Sequence, residues 1–297
     1  MIDLHMHSRF SEDGEFTPEQ LVKQCAACGI TAMSITDHNV ARANPVAERA
    51  AREMGIRYIP GIEIDCTYEG IGLHVLGYGI DYHSADFARI EDNVVSQAST
   101  AAAKLLENTK ALGFAVTEEE MRRAAEGMEH PEIWTGDLFA EVLLAKPEYR
   151  EHPLLLPYRP GGERSDNPYV NFYWDYYSQG KPCYVEIRYP SVQEVIEMIH
   201  RNHGFAVLAH PGVNLKGREQ LLAPLIELGL DGIEAFSSYH TADQAAFFYA
   251  AAQSRNSLFT CGSDYHGKTK PSVSLGSYTA VPGADTEQAL RFIFNSK

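Results

Sequence analysis

Ile2, Leu4 and Met6 alternate with Asp3, His5 and His7, a period of two that predicts a strand with one apolar face and one polar face. Thr17 reads as a helix N-cap, with Pro18 at the first helical position, Gln20 completing a capping box and Gly29 closing the helix. Thr31 to Ile35 is a short apolar strand ending at Asp37-His38, and Asn44-Pro45 opens a helix that Gly55 ends. Ile56 to Pro60 predicts a third strand with Glu63 just beyond it, and Gly72 to Ile80 a fourth. The rhythm then changes. Strand signals give way to helical stretches at Phe87 to Leu112, Thr117 to Glu126 and Trp134 to Ala145, followed by a loop over Pro147 to Tyr177. Alternation resumes with strands at Cys183 to Ile187, Phe205 to Ala209, Asp231 to Phe236 and Leu258 to Cys261. Helices at Val192 to His203, Gly217 to Leu228 and Thr241 to Arg255 separate these strands, and Thr286 to Asn295 closes the chain.

Polar residues follow this pattern rather than scattering. His5, His7, His38, Glu63, His210, Asp264 and His266 fall at or just past the C-terminal ends of predicted strands. In a (β/α) barrel those ends form one face, where the chemistry is housed. His74 differs, because it lies inside its strand.

A length of 297 residues with 44% apolar content suits one large domain carrying an insertion. The predicted division is a barrel over 1–83 and 181–297, with a helical insertion over 84–180 covering the active-site face. Against 40 acidic residues stand 25 basic ones, a net charge of −15 with no basic block. That argues against a general binder of polymeric nucleic acid or membrane surfaces. No apolar run is long enough to span a bilayer, and the five cysteines without a secretory signal point to the cytoplasm. Cys25 and Cys28 have the spacing of a redox pair but sit at the end of an amphipathic helix, so packing is the simpler reading.

Imidazoles and carboxylates without cysteine suit Zn²⁺, Mn²⁺ or Fe²⁺ in an open site. Six histidines with two or three carboxylates exceed what one ion can use. Several divalent ions sharing a carboxylate would activate water and clamp the oxygens of a transferring phosphoryl group.

The motifs His5-x-His7, Thr36-Asp37-His38, Gly61-x-Glu63, His74, Ala209-His210-Pro211 and Gly262-Ser263-Asp264-x-His266 resemble those of the PHP (polymerase and histidinol phosphatase) family. The resemblance covers the chain to about Ile80 and from about Lys181 onward. It implies a distorted (β/α)7 barrel with up to three ions. His5, His7, Glu63 and Asp264 would hold the first; Glu63, His74 and His210 the second; Asp13, His38 and His266 the third. Asp37 would act beside the centre by orienting a ligand. The helical insertion resembles the small-molecule phosphoesterases of the family, some of which act on nucleotide 3′,5′-bisphosphates or cyclic nucleotide phosphates.

The expected activity is hydrolysis of a small phosphate ester, a nucleotide mono-, bis- or cyclic phosphate, by a hydroxide bridging two ions. Lys181 is the first candidate for a phosphate contact, with Arg159, Arg164 and Arg188 as substitutes. His240, just past a strand end, is the candidate general acid. The alternatives are a histidinol-phosphate-type phosphatase, an amidohydrolase-like C–N hydrolase on a related barrel, and a non-catalytic metal-binding module.

Overall fold

Two sheets share one ring of strands in this computed structural model, which describes residues 1–295. β1 (Ile2–Asp3), β2 (Ala32–Met33) and β3 (Arg57–Tyr58) pair in parallel in that order. β4 (Gly61–Tyr68), β5 (Ile71–Tyr78), β6 (Phe205–Leu208), β7 (Gly232–Ser237) and β8 (Leu258–Gly262) form the second sheet. The ring closes at two seams. The Leu4 N–H donates to the Cys261 carbonyl at 3.0 Å and Met6 bridges Tyr265, joining β1 to β8. His38 bridges Glu63, joining the chain beyond β2 to β4.

The distortion lies in β5, which runs antiparallel to both β4 and β6. A plain (β/α) barrel keeps every strand parallel. Here the two-residue turn at Glu69-Gly70, both at positive φ, folds β5 straight back on β4 with no crossover helix. Glu63 and Asp65 of β4 thus share a face with His74, which is paired opposite Asp65. Glu63 does not follow a strand ending at Pro60, as the sequence suggested. Its strand starts at Gly61, after a break at Ile59-Pro60.

Helices α1 (Pro18–Ala27) and α2 (Asn44–Glu53) cover the first sheet. The capping box at Thr17 and Gln20 is formed as the sequence signals. Cys25 packs in this core with its thiol against Met6, and neither Cys25 nor Cys28 is bonded to another cysteine.

Helices α3 (Ala85–Ala111), α4 (Glu118–Ala124), α5 (Gly136–Ala145) and α6 (Pro168–Tyr176) follow β5. They enclose an apolar cluster of their own that includes Phe114, Met121, Phe139, Leu143, Phe172 and Tyr177. The sequence reading made α6 part of a loop. Pro168 at its first turn and Phe172 and Tyr176 one turn apart against Tyr158 are what make it a helix.

The strand expected at Cys183 to Ile187 is absent; residues 184–190 have no regular structure. Pro182 and Pro190 bracket the run, and the backbone of Arg188 is satisfied by the Gln97 side chain rather than by a neighbouring strand. Helices α7 (Val192–Arg201), α8 (Pro211–Asn214), α9 (Leu222–Glu227), α10 (Ala242–Ser254) and α11 (Gln288–Asn295) complete the chain. Among the described residues no helix is long and apolar enough to cross a membrane.

Candidate metal centre

The seam between β1 and β8 brings the first donors together. Gly262 allows it: a Cβ there would lie 2.2 Å from His5 Cβ, so only glycine lets the strands approach so closely. Beyond the seam the chain turns sharply at Asp264, φ 56°, and the Asp264 N–H donates to the His5 carbonyl at 2.8 Å. Asp3 anchors this turn by accepting from the Ser263 N–H at 2.9 Å and the Ser263 hydroxyl at 2.6 Å.

His5, His7, Glu63 and Asp264 then form a buried cluster. His5 Nε2 is 3.1 Å from Glu63 Oε2 and 3.2 Å from Asp264 Oδ1, and His7 Nε2 is 3.1 Å from each of the same oxygens. Donors about 2.1 Å from one ion stand roughly 3.0–3.4 Å from each other, so these edges fit a single cation. The other oxygen of Glu63 turns the opposite way. Glu63 Oε1 lies 3.0 Å from His74 Nδ1 and 3.0 Å from His210 Nε2. A third group is His7, Asp13, His38 and His266, with His266 Nε2 3.0 Å and His38 Nε2 3.8 Å from Asp13 Oδ2. A fourth, His38, Asp65 and His74, borrows two of these histidines.

The rings are held so that free nitrogens point inward. His5 Nδ1 lies 2.9 Å from Glu234 Oε1, and His266 Nδ1 donates to the Asp264 carbonyl at 2.8 Å. His7 Nδ1 pairs with the Ser11 hydroxyl at 3.2 Å. On the inner side, His7 Nε2, His266 Nε2 and Asp264 Oδ1 are buried without a hydrogen-bond partner. Orphaned buried donors and acceptors are rare unless something else satisfies them. Here divalent cations fit.

Electrostatics agree. Burial alone would lower the His5 pKa, but Glu234, Glu63 and Asp264 hold it well above its ordinary value. His38 is raised in the same way against burial by Glu63 and Asp65. Glu63 and Asp264 are held well below the usual carboxylate range, burial being overcome by His5 and His38 for one and by Lys270 and His266 for the other. His266 is pushed by burial down to about 4.

Asp37 stands outside the cluster and accepts from the Ser8 N–H at 2.5 Å and the Ser8 hydroxyl at 2.7 Å, fixing the turn that follows His7. His240 is not placed for acid catalysis. It is 3% exposed, its Nδ1–H donates to the Ala235 carbonyl at 2.9 Å, and its Nε2 accepts from the Gly212 N–H at 3.0 Å. Both nitrogens are therefore spent on backbone. The basic residues chosen from sequence are also displaced from that role. Arg164 is paired in bidentate fashion with Asp175 at 3.0 and 3.1 Å, and Arg159 donates to the carbonyls of Leu144 and Tyr149. Lys181 and Arg188 are exposed beyond α6.

Four residues at the centre were missed. Glu234 lies inside β7, Asp65 inside β4, and Lys270 and Tyr239 in loops. Lys270 Nζ lies 2.7 Å from Asp264 Oδ2, and the Tyr239 hydroxyl donates to the same oxygen at 2.6 Å. Asp65 was readable, because Glu63-x-Asp65 follows the alternation of its strand.

The helical segment is tied to this face. Lys268 pairs with Glu141 at 2.7 Å, Ser272 binds the Asn167 side chain, and Arg42 reaches Glu91 and Glu129. Asp137, at the start of α5, has a buried oxygen without a partner and a pKa pushed to about 7 by burial and then by Asp13.

A family model described as the PHP domain matches residues 3–203. A protein of Eggerthella lenta named phosphoribosyl 1,2-cyclic phosphate 1,2-diphosphodiesterase is 29% identical over 272 residues, covering 90% of this chain and 94% of the relative. A 3′,5′-nucleoside bisphosphate phosphatase of Chromobacterium violaceum is 28% identical over 288 residues, covering 95% and 92%. The 5′-3′ exoribonuclease Rnm of Escherichia coli is 27% identical over 288 residues, covering 94% and 89%. Among solved structures, one from Bifidobacterium adolescentis whose description places it among metal-dependent phosphoesterases aligns with TM-score 0.77 and 26% identity, covering 99% and 95% of the two chains.

Proposed function

This chain belongs to the PHP domain family, and from that premise we propose that it hydrolyses a small nucleotide or sugar phosphate at a centre of two to three divalent ions. It is a metal-dependent phosphoesterase on a distorted (β/α) barrel. The observation that carries the finer reading is Glu63. Its two oxygens each face a pair of imidazoles, His5 and His7 on one side and His74 and His210 on the other, at 3.0–3.1 Å. A carboxylate so placed would serve two adjacent cations.

His5, His7, Glu63 and Asp264 would hold the first ion; Glu63, His74 and His210 the second; Asp13, His38 and His266, with His7 alongside, the third. Mn²⁺, Zn²⁺ and Fe²⁺ all suit this donor set. Bound ions supply a Lewis acid for the phosphoryl oxygens and an activated water as nucleophile. The chain's own residues do the rest. Asp37 fixes the turn that follows His7, Glu234 fixes His5, and Lys270, a buried ammonium 2.7 Å from Asp264 Oδ2, would offset the charge that develops on the phosphoryl oxygens.

Residues 84–180 act in this reading as a cover over the centre. The cover brings Asp137 rather than a free arginine, and Arg159 and Arg164 are already engaged. That favours a substrate presenting one phosphoryl group, as a cyclic phosphate or a monophosphate, over a bisphosphate. The net charge of −15 likewise favours small substrates over an RNA chain.

The test is hydrolysis by the metal-loaded protein, read chromatographically as ring opening of nucleotide 2′,3′-cyclic and 1,2-cyclic sugar phosphates and as phosphate release from mono- and 3′,5′-bisphosphates, beside a 5′-phosphorylated oligoribonucleotide and an amide panel. Cleavage of cyclic or monophosphates that chelator abolishes and Mn²⁺ restores is expected. Processive shortening of the oligoribonucleotide would make the chain an exoribonuclease, and turnover of amides alone would sink the phosphoesterase reading.

A further inference from the structure

Asp65 lies outside the three donor groups assigned above, yet it touches two of them. Its Oδ1 stands 3.2 Å from His74 Nε2 and 3.4 Å from His38 Nδ1, a nitrogen that also lies 3.5 Å from Glu63 Oε2. The far nitrogens of these rings face different ion positions. His74 Nδ1 is 3.0 Å from Glu63 Oε1, and His38 Nε2 is 3.8 Å from Asp13 Oδ2. A neutral imidazole gives a lone pair to an ion through one nitrogen only when its proton sits on the other.

Asp65 is itself fixed. Asn39 Nδ2 donates to Asp65 Oδ2 at 2.8 Å, and the Asp65 N–H donates to Asn39 Oδ1 at 3.0 Å. Asn39 is buried and held at φ 60°, a conformation that aims its amide at β4. Strand pairing sets the rest, because Asp65 and His74 are direct partners across β4 and β5.

We infer that Asp65 is a positioning residue that imposes opposite tautomers on two histidines. His74 carries its proton on Nε2 and offers Nδ1 to the second ion; His38 carries its proton on Nδ1 and offers Nε2 to the third. One carboxylate oxygen thus couples two ion positions that share no ligand. The inference rests on the reading of this cluster as a metal centre. The competing arrangement, an ion held by Asp65 with His38 and His74, would claim the nitrogens that must keep their protons if the second and third positions fill. The two arrangements exclude each other.

The experiment uses Zn²⁺ as probe on the full-length protein. Nitrogen-15 ring spectra of the zinc-loaded chain locate each imidazole proton, with His38→Gln and His74→Gln assigning the signals. Calorimetric titration of metal-free protein reads affinity at each position. In the native chain we expect His74 protonated on Nε2 and His38 on Nδ1. Asp65→Ala should mix the tautomers of both rings and weaken two zinc affinities by about 10–100-fold while sparing the tightest. Asp65→Asn, which keeps an acceptor oxygen, should restore most of the tautomer pattern. Zinc on His74 Nε2, loss of one whole ion in Asp65→Ala with both rings unchanged, or no effect at all in a variant folded by circular dichroism would each overturn the inference. If the native chain takes up no zinc, the metal-centre reading falls with it; zinc uptake without the tautomer pattern removes the inference alone.

Discussion

His5 Nδ1 and Glu234 Oε1 lie 2.9 Å apart, and both side chains are fully buried. The other oxygen of Glu234 accepts from the His210 N–H at 2.7 Å. One carboxylate inside β7 therefore sets the ring of one proposed ligand and the backbone of another. Glu234→Gln retains an acceptor for one of these contacts but loses charge. Metal affinity should fall about 10–100-fold, the usual consequence of losing such a partner. Metal content after dialysis against graded chelator checks this, and a variant as tightly loaded as the native chain would refute it. Glu234→Ala should in addition melt earlier, because it strands a buried N–H at a cost of about 1–3 kcal/mol.

The clustering of donor side chains on one face of the barrel was legible because backbone periodicity and residue chemistry reinforce each other there. His5 and His7 alternate with apolar residues on a strand, and Gly262-Ser263-Asp264 is a turn only a few residue types allow. Glu234 and Lys270 were less visible for physical reasons. Glu234 interrupts an apolar strand as a single acid, and its meaning depends on His5, which lies far away in sequence. Lys270 reaches Asp264 because a short 3₁₀ turn at Gly267–Thr269 carries it back, and no periodicity announces such a turn. His240 misled in the other direction. It follows a strand end as the proposed ligands do, but α8 packs so close that the Gly212 N–H takes its Nε2.

We expect Lys270 rather than Lys181 to be the cation that meets the phosphoryl group. It is 8% exposed, close to Asp264, and near enough to the centre for Asp13 to act on it, whereas Lys181 is exposed on a turn. Lys270→Met should lower kcat/KM roughly 10–150-fold, the range of one charge-assisted hydrogen bond. Lys181→Ala should stay within about 2-fold, as surface substitutions do. Steady-state kinetics on the best substrate of the phosphate-release panel decide it. The reverse ranking would return the phosphate contact to Lys181.

His240 joins the Ala235 carbonyl of β7 to the Gly212 N–H of α8, and its ring leaves no space for a Cβ on Gly212, which would lie 2.5 Å from His240 Cδ2. Its substitution is thus a stability change. His240→Gln should cost about 1–3 kcal/mol through unpaired buried backbone groups, seen as a lower melting temperature. Turnover per folded, metal-loaded molecule should remain within about 3-fold, far from the 10²–10⁴-fold loss of a general acid. A loss of that size without a change in melting would restore the catalytic role.

Protons and ions compete for the same nitrogens, and this fixes the direction of the pH dependence. In the metal-free chain His5 and His38 are held well above 6.5 and His7 is raised, so near neutral pH these rings keep protons that an incoming ion must displace. Zinc affinity should therefore tighten between about pH 6 and about pH 8, with protons released on binding. The stability of the metal-free chain runs the other way. Groups with raised folded pKa values contribute in full below 6.5 and lose that contribution as pH climbs through the raised values. Glu63 and Asp264, held low, lose theirs only in acid, as pH falls through their depressed folded values. His266, lowered to about 4, loses its contribution as pH falls from 6.5 toward that value and adds nothing variable above 6.5. The metal-free melting temperature should thus decline from about pH 6.5 toward about pH 9, while the zinc-loaded protein should hold or gain. Calorimetry in two buffers of different ionisation enthalpy counts the protons, and thermal melts across that range read the stability. Proton-neutral binding, or metal-free and zinc-loaded melts that move in parallel, would show that these histidines are not the groups the ions occupy.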